Sequence, residues 1–169
     1  VAGEVSDGLM LHSLKSPEYV RLVVRPALDK GTQKAGRDSG AVKITGGGFI
    51  ITGPDRSSIR VMQTDVRRRI AFYSSTRSYF PVLEAHGFLE TGQQLHEMSL
   101  KGQWAEMGEL VSDEMLDAFS VSGEYDEIAD KFVERYGGLL DEVSFTLVCQ
   151  DPPAEDQLRK MVQRLQELG

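Results

Sequence analysis

VAGEVSDGLMLHSLKSPEY, residues 1–19, reads as a β-α unit entered mid-fold. It opens without an initiator Met, and neither a leading loop nor a signal peptide is expected from these residues. A small-residue turn leads into an apolar strand, Gly8 to Leu11, which exits through His12, Ser13 and Lys15. Ser16-Pro17-Glu18 then starts a helix, with Ser as N-cap, Pro at the first helical position and an acid in the first turn. A strand with a polar exit that turns into a helix is the repeating unit of α/β enzymes.

Three further units follow. Val20, Val23, Val24, Ala27 and Leu28 give the first helix one apolar face, Pro26 is expected to kink it, and Gly36 to cap it. Residues 41–52, AVKITGGGFIIT, predict a strand interrupted by Gly46 to Gly48. The glycines admit either a bulge in a crowded sheet, the plainer reading, or close approach of a ligand to the backbone. Asp55 caps the next helix, whose apolar positions are Ile59, Met62, Val66, Ile70 and Tyr73. Arg67-Arg68-Arg69 decorates another face of it.

The stretch 73–123 resembles an insertion with short helices at 78–86, at 93–100 and around Trp104 to Val111. AFSV, residues 118–121, is a strand candidate, and Ser122-Gly123 is expected to turn it into a helix faced by Ile128, Ala129, Phe132, Val133 and Tyr136. Gly137-Gly138 ends that helix. Val143 to Cys149 predicts a buried strand, and Pro152-Pro153 opens a last helix with Leu158, Met161, Val162, Leu165 and Leu168 on one face. Alternating strands and helices predict a parallel sheet with right-handed crossovers. Four such units make either half of an eight-unit barrel or a compact open sheet.

Composition bounds the function. The 169 residues suit one domain, with 40% hydrophobic and 27% charged residues. A net charge of −7 argues against a nucleic-acid surface. No apolar run approaches a membrane span, and the single Cys149 fits a reducing cytoplasm. His12, His86 and His96 lack metal-ligand spacing, so no metal is expected.

Reactive groups of α/β folds lie at the carboxyl ends of strands. That rule selects His12, Ser13 and Lys15, then Thr52 and Gly53, then Ser120, Ser122 and Gly123, then Cys149, Gln150 and Asp151. His12 titrates near neutrality and suits acid–base work, but a lone strand-end histidine is more often a structural side chain. Lys15 suits a phosphate or carboxylate, or is simply solvated. Ser122-Gly123 suits an anion at a helix start, or a plain N-cap. No Ser-His-Asp or Cys-His arrangement defines a reaction, so the catalytic residues stay unassigned.

AGEVSDGLMLHSLKSPEYV with RPALDKGTQKAGRD resembles the second-half signature of the luciferase-like monooxygenase superfamily. RRRIAFYSSTRSYFPVLEAHGF and DEMLDAFSVSGEYDEIADKFVERYGGLLDEVSF extend the resemblance to its actinobacterial, coenzyme F420-using branch. The resemblance implies that residues 1–169 form the C-terminal half of a (β/α)8 TIM barrel, with extra helices in the second unit. It implies an oxidoreductase using F420, or alternatively FMN, for hydride transfer with a small organic substrate. His12 and Ser13 would then face the cofactor, and Lys15, Tyr73, Ser74 and Tyr79 the substrate.

Half a barrel leaves unpaired strand edges and an open interior. Phe49, Ile51, Phe145 and Leu147 are expected to face water, and the chain to form a homodimer, pair with an N-terminal half-barrel, or aggregate. The competing readings are a non-catalytic flavin-binding or assembly protein on the same scaffold, and an unrelated four-stranded phosphate-binding domain using Ser122-Gly123.

Overall fold

The computed structural model describes residues 1–144 and 155–168. Its strands all run parallel, as the alternation predicts. They are β1 (Gly8–Met10), β2 (Lys43–Gly46), β3 (Phe49–Gly53), β4 (Ser120–Glu124) and β5 (Glu142–Val143). β2 lies between β1 and β5, while β3 pairs with β4.

The predicted strand at 41–52 is thus two strands broken at Gly47-Gly48. Gly48 takes φ +115, a conformation that side chains rarely adopt. A Cβ on Gly47 would lie 2.0 Å from the Ser144 carbonyl oxygen. The glycines therefore serve a crowded sheet, turning the chain so that its first half pairs with β1 and β5 and its second half with β4.

The first residues form a short helix, α1 (Ala2–Val5), where a turn was expected. Gly3 of α1 meets Gly31 of α3 (Arg25–Lys34) so closely that a Cβ on either would approach the other's backbone to 3.2 Å or less. Ser16 caps α2 (Pro17–Tyr19) by accepting from the Tyr19 N–H. A π-helical turn, Val20–Val24, joins α2 to α3. There the Arg25 N–H reaches back to the Val20 carbonyl, immediately before Pro26, which has no N–H to give. The expected kink is this wide turn. At the other end Gly36, φ +66, closes a Schellman motif through Gly36 N–H to Gln33 and Arg37 N–H to Thr32.

α4 (Arg56–Ser74) is capped by Asp55 and buries Met62, Val66 and Ile70, as their spacing predicts. Arg67 pairs with Asp113 and the Val111 carbonyl, and Arg69 with Asp65, so two of the three arginines are occupied on the surface of the helix. α5 (Phe80–Glu84), α6 (Leu89–Leu100) and α7 (Asp113–Phe119) build the extra layer. Together with α4 they bury Phe49 and Ile51, contrary to the expectation that these face water. The open side shows instead at Met10, 77% exposed on the edge strand β1, and at Val143 on β5. Phe145 and Leu147 lie outside the described residues.

Two further expectations change. Ala118 and Phe119 close α7, so β4 begins only at Ser120. Ser122 and Gly123 lie within β4, and α8 (Ile128–Tyr136) starts after Glu127, which gives it no side-chain cap. The stretch AFSV is divided: the helix capped by Ser112 runs on through Ala118 and Phe119, and Ser120 and Val121 open β4. With Ser122-Gly123 in mid-strand, the phosphate-binding alternative loses its helix terminus. Of the buried strand expected at 143–149, Val143 is the exposed end of β5, Ser144 is exposed and outside any strand, and residues 145–149 lie outside the described residues. The last helix, α9 (Glu155–Leu168), packs on α8 through Met161. The Pro152-Pro153 start expected for it lies outside the described residues.

Candidate functional site

β1 stops short of its neighbours. The Leu11 N–H donates to the Thr45 carbonyl, so the chain leaves the sheet at the level of the glycine break. The exit is a tight loop: the Leu14 N–H donates to His12 Nδ1 at 3.1 Å, and the Lys15 N–H to the Ser13 carbonyl at 3.0 Å. Accepting at Nδ1 places the proton of neutral His12 on Nε2. Its pKa is lowered, first by burial and then by the charge of Lys15.

The His12 ring meets Tyr73 at a centroid distance of 4.4 Å and Tyr79 at 5.0 Å. Tyr73 and Tyr79 are 6.1 Å apart, and Phe49 lies 6.2 Å from Tyr73. Three residues selected from sequence, His12, Tyr73 and Tyr79, therefore come together across more than sixty positions. α4 achieves this by ending where β1 exits, while the 3-10 turn Arg77–Tyr79 folds Tyr79 back.

Lys15 is only 3% exposed, and its Nζ has no hydrogen-bond partner among the described residues. It lies over the Tyr136 ring, 4.9 Å from the centroid. A Cβ on Gly46 would stand 2.9 Å from Lys15 Cε, and one on Gly48 3.5 Å from Nζ. The glycine break thus makes the groove that holds this side chain. Burial lowers its pKa to about 8. Among the described residues no carboxylate pairs with this ammonium, the condition under which an anionic group gains most from binding.

Ser13 is half-buried at the loop. Ser74 is fully buried, and its Oγ lacks a hydrogen-bond partner among the described residues, as does Thr52 Oγ1. Ser16, next to Lys15, has its Oγ 2.6 Å from His86 Nε2, which ties the exit loop to the extra layer.

The strand ends do not form one mouth. Thr52 and Gly53 pair with Gly123 and Glu124, next to the start of α4. Tyr73 lies at the far end of that 19-residue helix, about 26 Å along its axis. The neighbours that reading the sequence left out are Tyr136 and the glycine groove around Lys15. The triple glycine was their only local signal, since Tyr136 reads as one more position on an apolar helix face. Among the described residues no cluster of three or more His, Cys, Asp or Glu has a metal-holding arrangement. No described helix is long and apolar enough to cross a membrane.

Comparison with known proteins places this geometry. The family model described as luciferase-like monooxygenase matches residues 1–142. An uncharacterized protein of Mycobacterium tuberculosis is 40% identical over 143 residues, 85% of this chain and 42% of that protein. The 5,10-methylenetetrahydromethanopterin reductase of Archaeoglobus fulgidus is 26% identical over 168 residues, 96% of this chain and 47% of the reductase. Among solved structures, the coenzyme F420 dependent tetrahydromethanopterin reductase from Methanopyrus kandleri superposes with a TM-score of 0.66 at 24% identity. That match covers 84% of this chain and 40% of the reductase chain, and it shows the fold here to be a partial barrel. The chain spans about half the length, or less, of the curated relatives it matches.

Proposed function

We propose, on the premise that the chain belongs to the luciferase-like monooxygenase family, that residues 1–169 form the C-terminal half of a (β/α)8 oxidoreductase using coenzyme F420. The reaction is hydride transfer with a small organic substrate. The observation that carries this reading is the buried Lys15 ammonium, without a hydrogen-bond partner among the described residues, on the same exit loop as His12, whose ring meets Tyr73 and Tyr79. Relatives that are reductases, one of them named for F420, support the cofactor choice, with FMN as the alternative.

The residues present fit such a group. A deazaflavin is planar, and His12, Tyr73 and Tyr79 offer flat rings in mutual contact. When bound, the deazaflavin supplies a carbon that accepts or donates hydride. The protein's share is to bind, orient and polarise. His12, with its proton on Nε2, and Ser13 are the cofactor-side donors. Lys15 holds an anionic group of the substrate, and Tyr73, Ser74 and Tyr79 form the substrate side. The edge of β1, unpaired among the described residues, and exposed Met10 support closure by an N-terminal half-barrel or by a second copy of this chain. A single cysteine supports a cytoplasmic setting.

Calorimetric titration with F420 and FMN in parallel tests this reading. Tighter F420 binding is expected. Tighter FMN binding moves the chain to the flavin alternative, and binding of neither overturns the assignment of the cofactor to these residues.

A further inference from the structure

The aromatic surface continues outward from Tyr73. Its ring meets Phe72 at 5.3 Å between centroids, and Phe72 meets Trp104 at 5.9 Å with the planes 43° apart. Phe72 is 52% exposed and Trp104 51%. Neither belongs to the buried core or packs on it as a partly buried member, whereas Tyr73 and Tyr79 do. Met62, Val66, Ile70 and Tyr73 follow one helical stripe on α4, and Phe72 falls outside it. Core packing therefore accounts for Tyr73 and not for Phe72. Scattered exposed aromatics are ordinary; two in contact, joined ring by ring to the candidate site, form a surface.

We infer that Phe72 and Trp104 form an outer subsite for a planar aromatic or heteroaromatic ring of the small-molecule substrate. The inference rests on the proposed function in taking the His12–Tyr73 cluster as the reacting end. Size argues for a small ring over a protein partner. Each side chain presents about 150–250 Å² in full, so two half-exposed rings offer roughly 200 Å². A stable protein interface needs about 800 Å² from each side. Flat apolar faces with the quadrupole of Trp and Phe favour a stacked or edge-on ring over a saturated one.

Trp104 is the only tryptophan of the chain, so its indole N–H resonance reports on this surface alone. The probes are 2-naphthoate and its saturated counterpart, decalin-2-carboxylate, titrated by NMR and calorimetry. 2-Naphthoate is expected to shift the Trp104 resonance saturably and to bind about tenfold tighter than the decalin acid. Phe72→Ala and Trp104→Leu are each expected to remove that tenfold preference while leaving F420 affinity unchanged. Equal binding of the two acids, an unmoved indole resonance, or a preference that survives both substitutions would overturn the subsite. A resonance that shifts with protein concentration alone would assign the face to a second copy and overturn it too. F420 binding without the naphthoate preference sinks the subsite and leaves the cofactor reading standing; the converse result sinks the cofactor reading alone.

Discussion

Lys15 and Tyr136, 121 positions apart, hold each other inside the fold. The Lys15 Nζ lies 4.9 Å from the Tyr136 ring centroid, and the Tyr136 hydroxyl donates to the Lys15 carbonyl at 3.5 Å. Burial lowers the lysine to about 8 and raises the tyrosine. The pair joins the exit of β1 to the end of α8, which makes the candidate site a long-range construction.

Among the described residues the buried Lys15 ammonium has no hydrogen-bond partner, a destabilising arrangement, so Lys15→Met is expected to raise the melting temperature at pH 7. The folded chain releases the lysine proton near pH 8, while the unfolded chain keeps it to about 10.5. Between those values the unfolded state binds more protons, so stability rises with pH in the wild type. The penalty below pH 8 is about 3 kcal/mol from the size of the shift, reduced by the contact with Tyr136. Thermal melts at pH 7 and pH 10 check this. The gain from Lys15→Met should be largest at pH 7 and mostly gone at pH 10, and a lower melting temperature at pH 7 would contradict it.

Gly47→Ala and Gly48→Ala should differ in kind. A Cβ at Gly47 collides with the backbone of Ser144, which forces the β2–β5 pairing apart. At Gly48 the added methyl has room, and the strain of φ +115 costs about 1–3 kcal/mol. Urea denaturation should show Gly47→Ala as the more damaging of the two. Equal losses would mean that the sheet tolerates the break elsewhere.

Asp55 caps α4 by accepting from the Ser58 N–H and the Ser57 hydroxyl. Those hydrogen bonds, that from the Ser58 backbone foremost, hold its pKa down at about 2. Its contribution is therefore present above about pH 4 and lost as pH falls through 2. Asp55→Ala should lower the melting temperature at pH 7 by an amount that shrinks steadily below pH 4. A pH-independent difference would remove the cap from the explanation.

Ser16 carries two duties. Its Oγ accepts from the Tyr19 N–H and meets His86 Nε2. Ser16→Ala should cost about 1–3 kcal/mol, combining a lost cap with an unpaired ring nitrogen. Faster amide exchange in both the 12–19 loop and the 85–88 turn would confirm the tie. Exchange confined to the first segment would show that His86 holds its place by stacking on Phe88 and by its edge contact with Phe119.

What could be read from sequence was local. Ser16, Asp55 and Gly36 mark helix ends because capping needs only neighbouring backbone groups. The stripe Met62–Val66–Ile70 shows the buried face of α4 for the same reason. His12, Tyr73 and Tyr79 were selected by strand ends and by resemblance, but their meeting depends on how far α4 runs. The burial of Lys15 was not legible, since it needs Tyr136 and the glycine break at once. β4 was placed two residues early because Ala118 and Phe119 fit a helix end as well as a strand start. The helices that cover Phe49 and Ile51 likewise lie far along the chain.

The most direct test of the central claim is calorimetry of F420 and FMN binding to the wild-type chain, to His12→Ala and to Lys15→Met. The account predicts F420 binding tighter than FMN, weakened about tenfold or more by His12→Ala and little changed by Lys15→Met, whose role lies with the substrate anion. Tighter FMN binding, no binding of either, or F420 binding indifferent to His12 would contradict it.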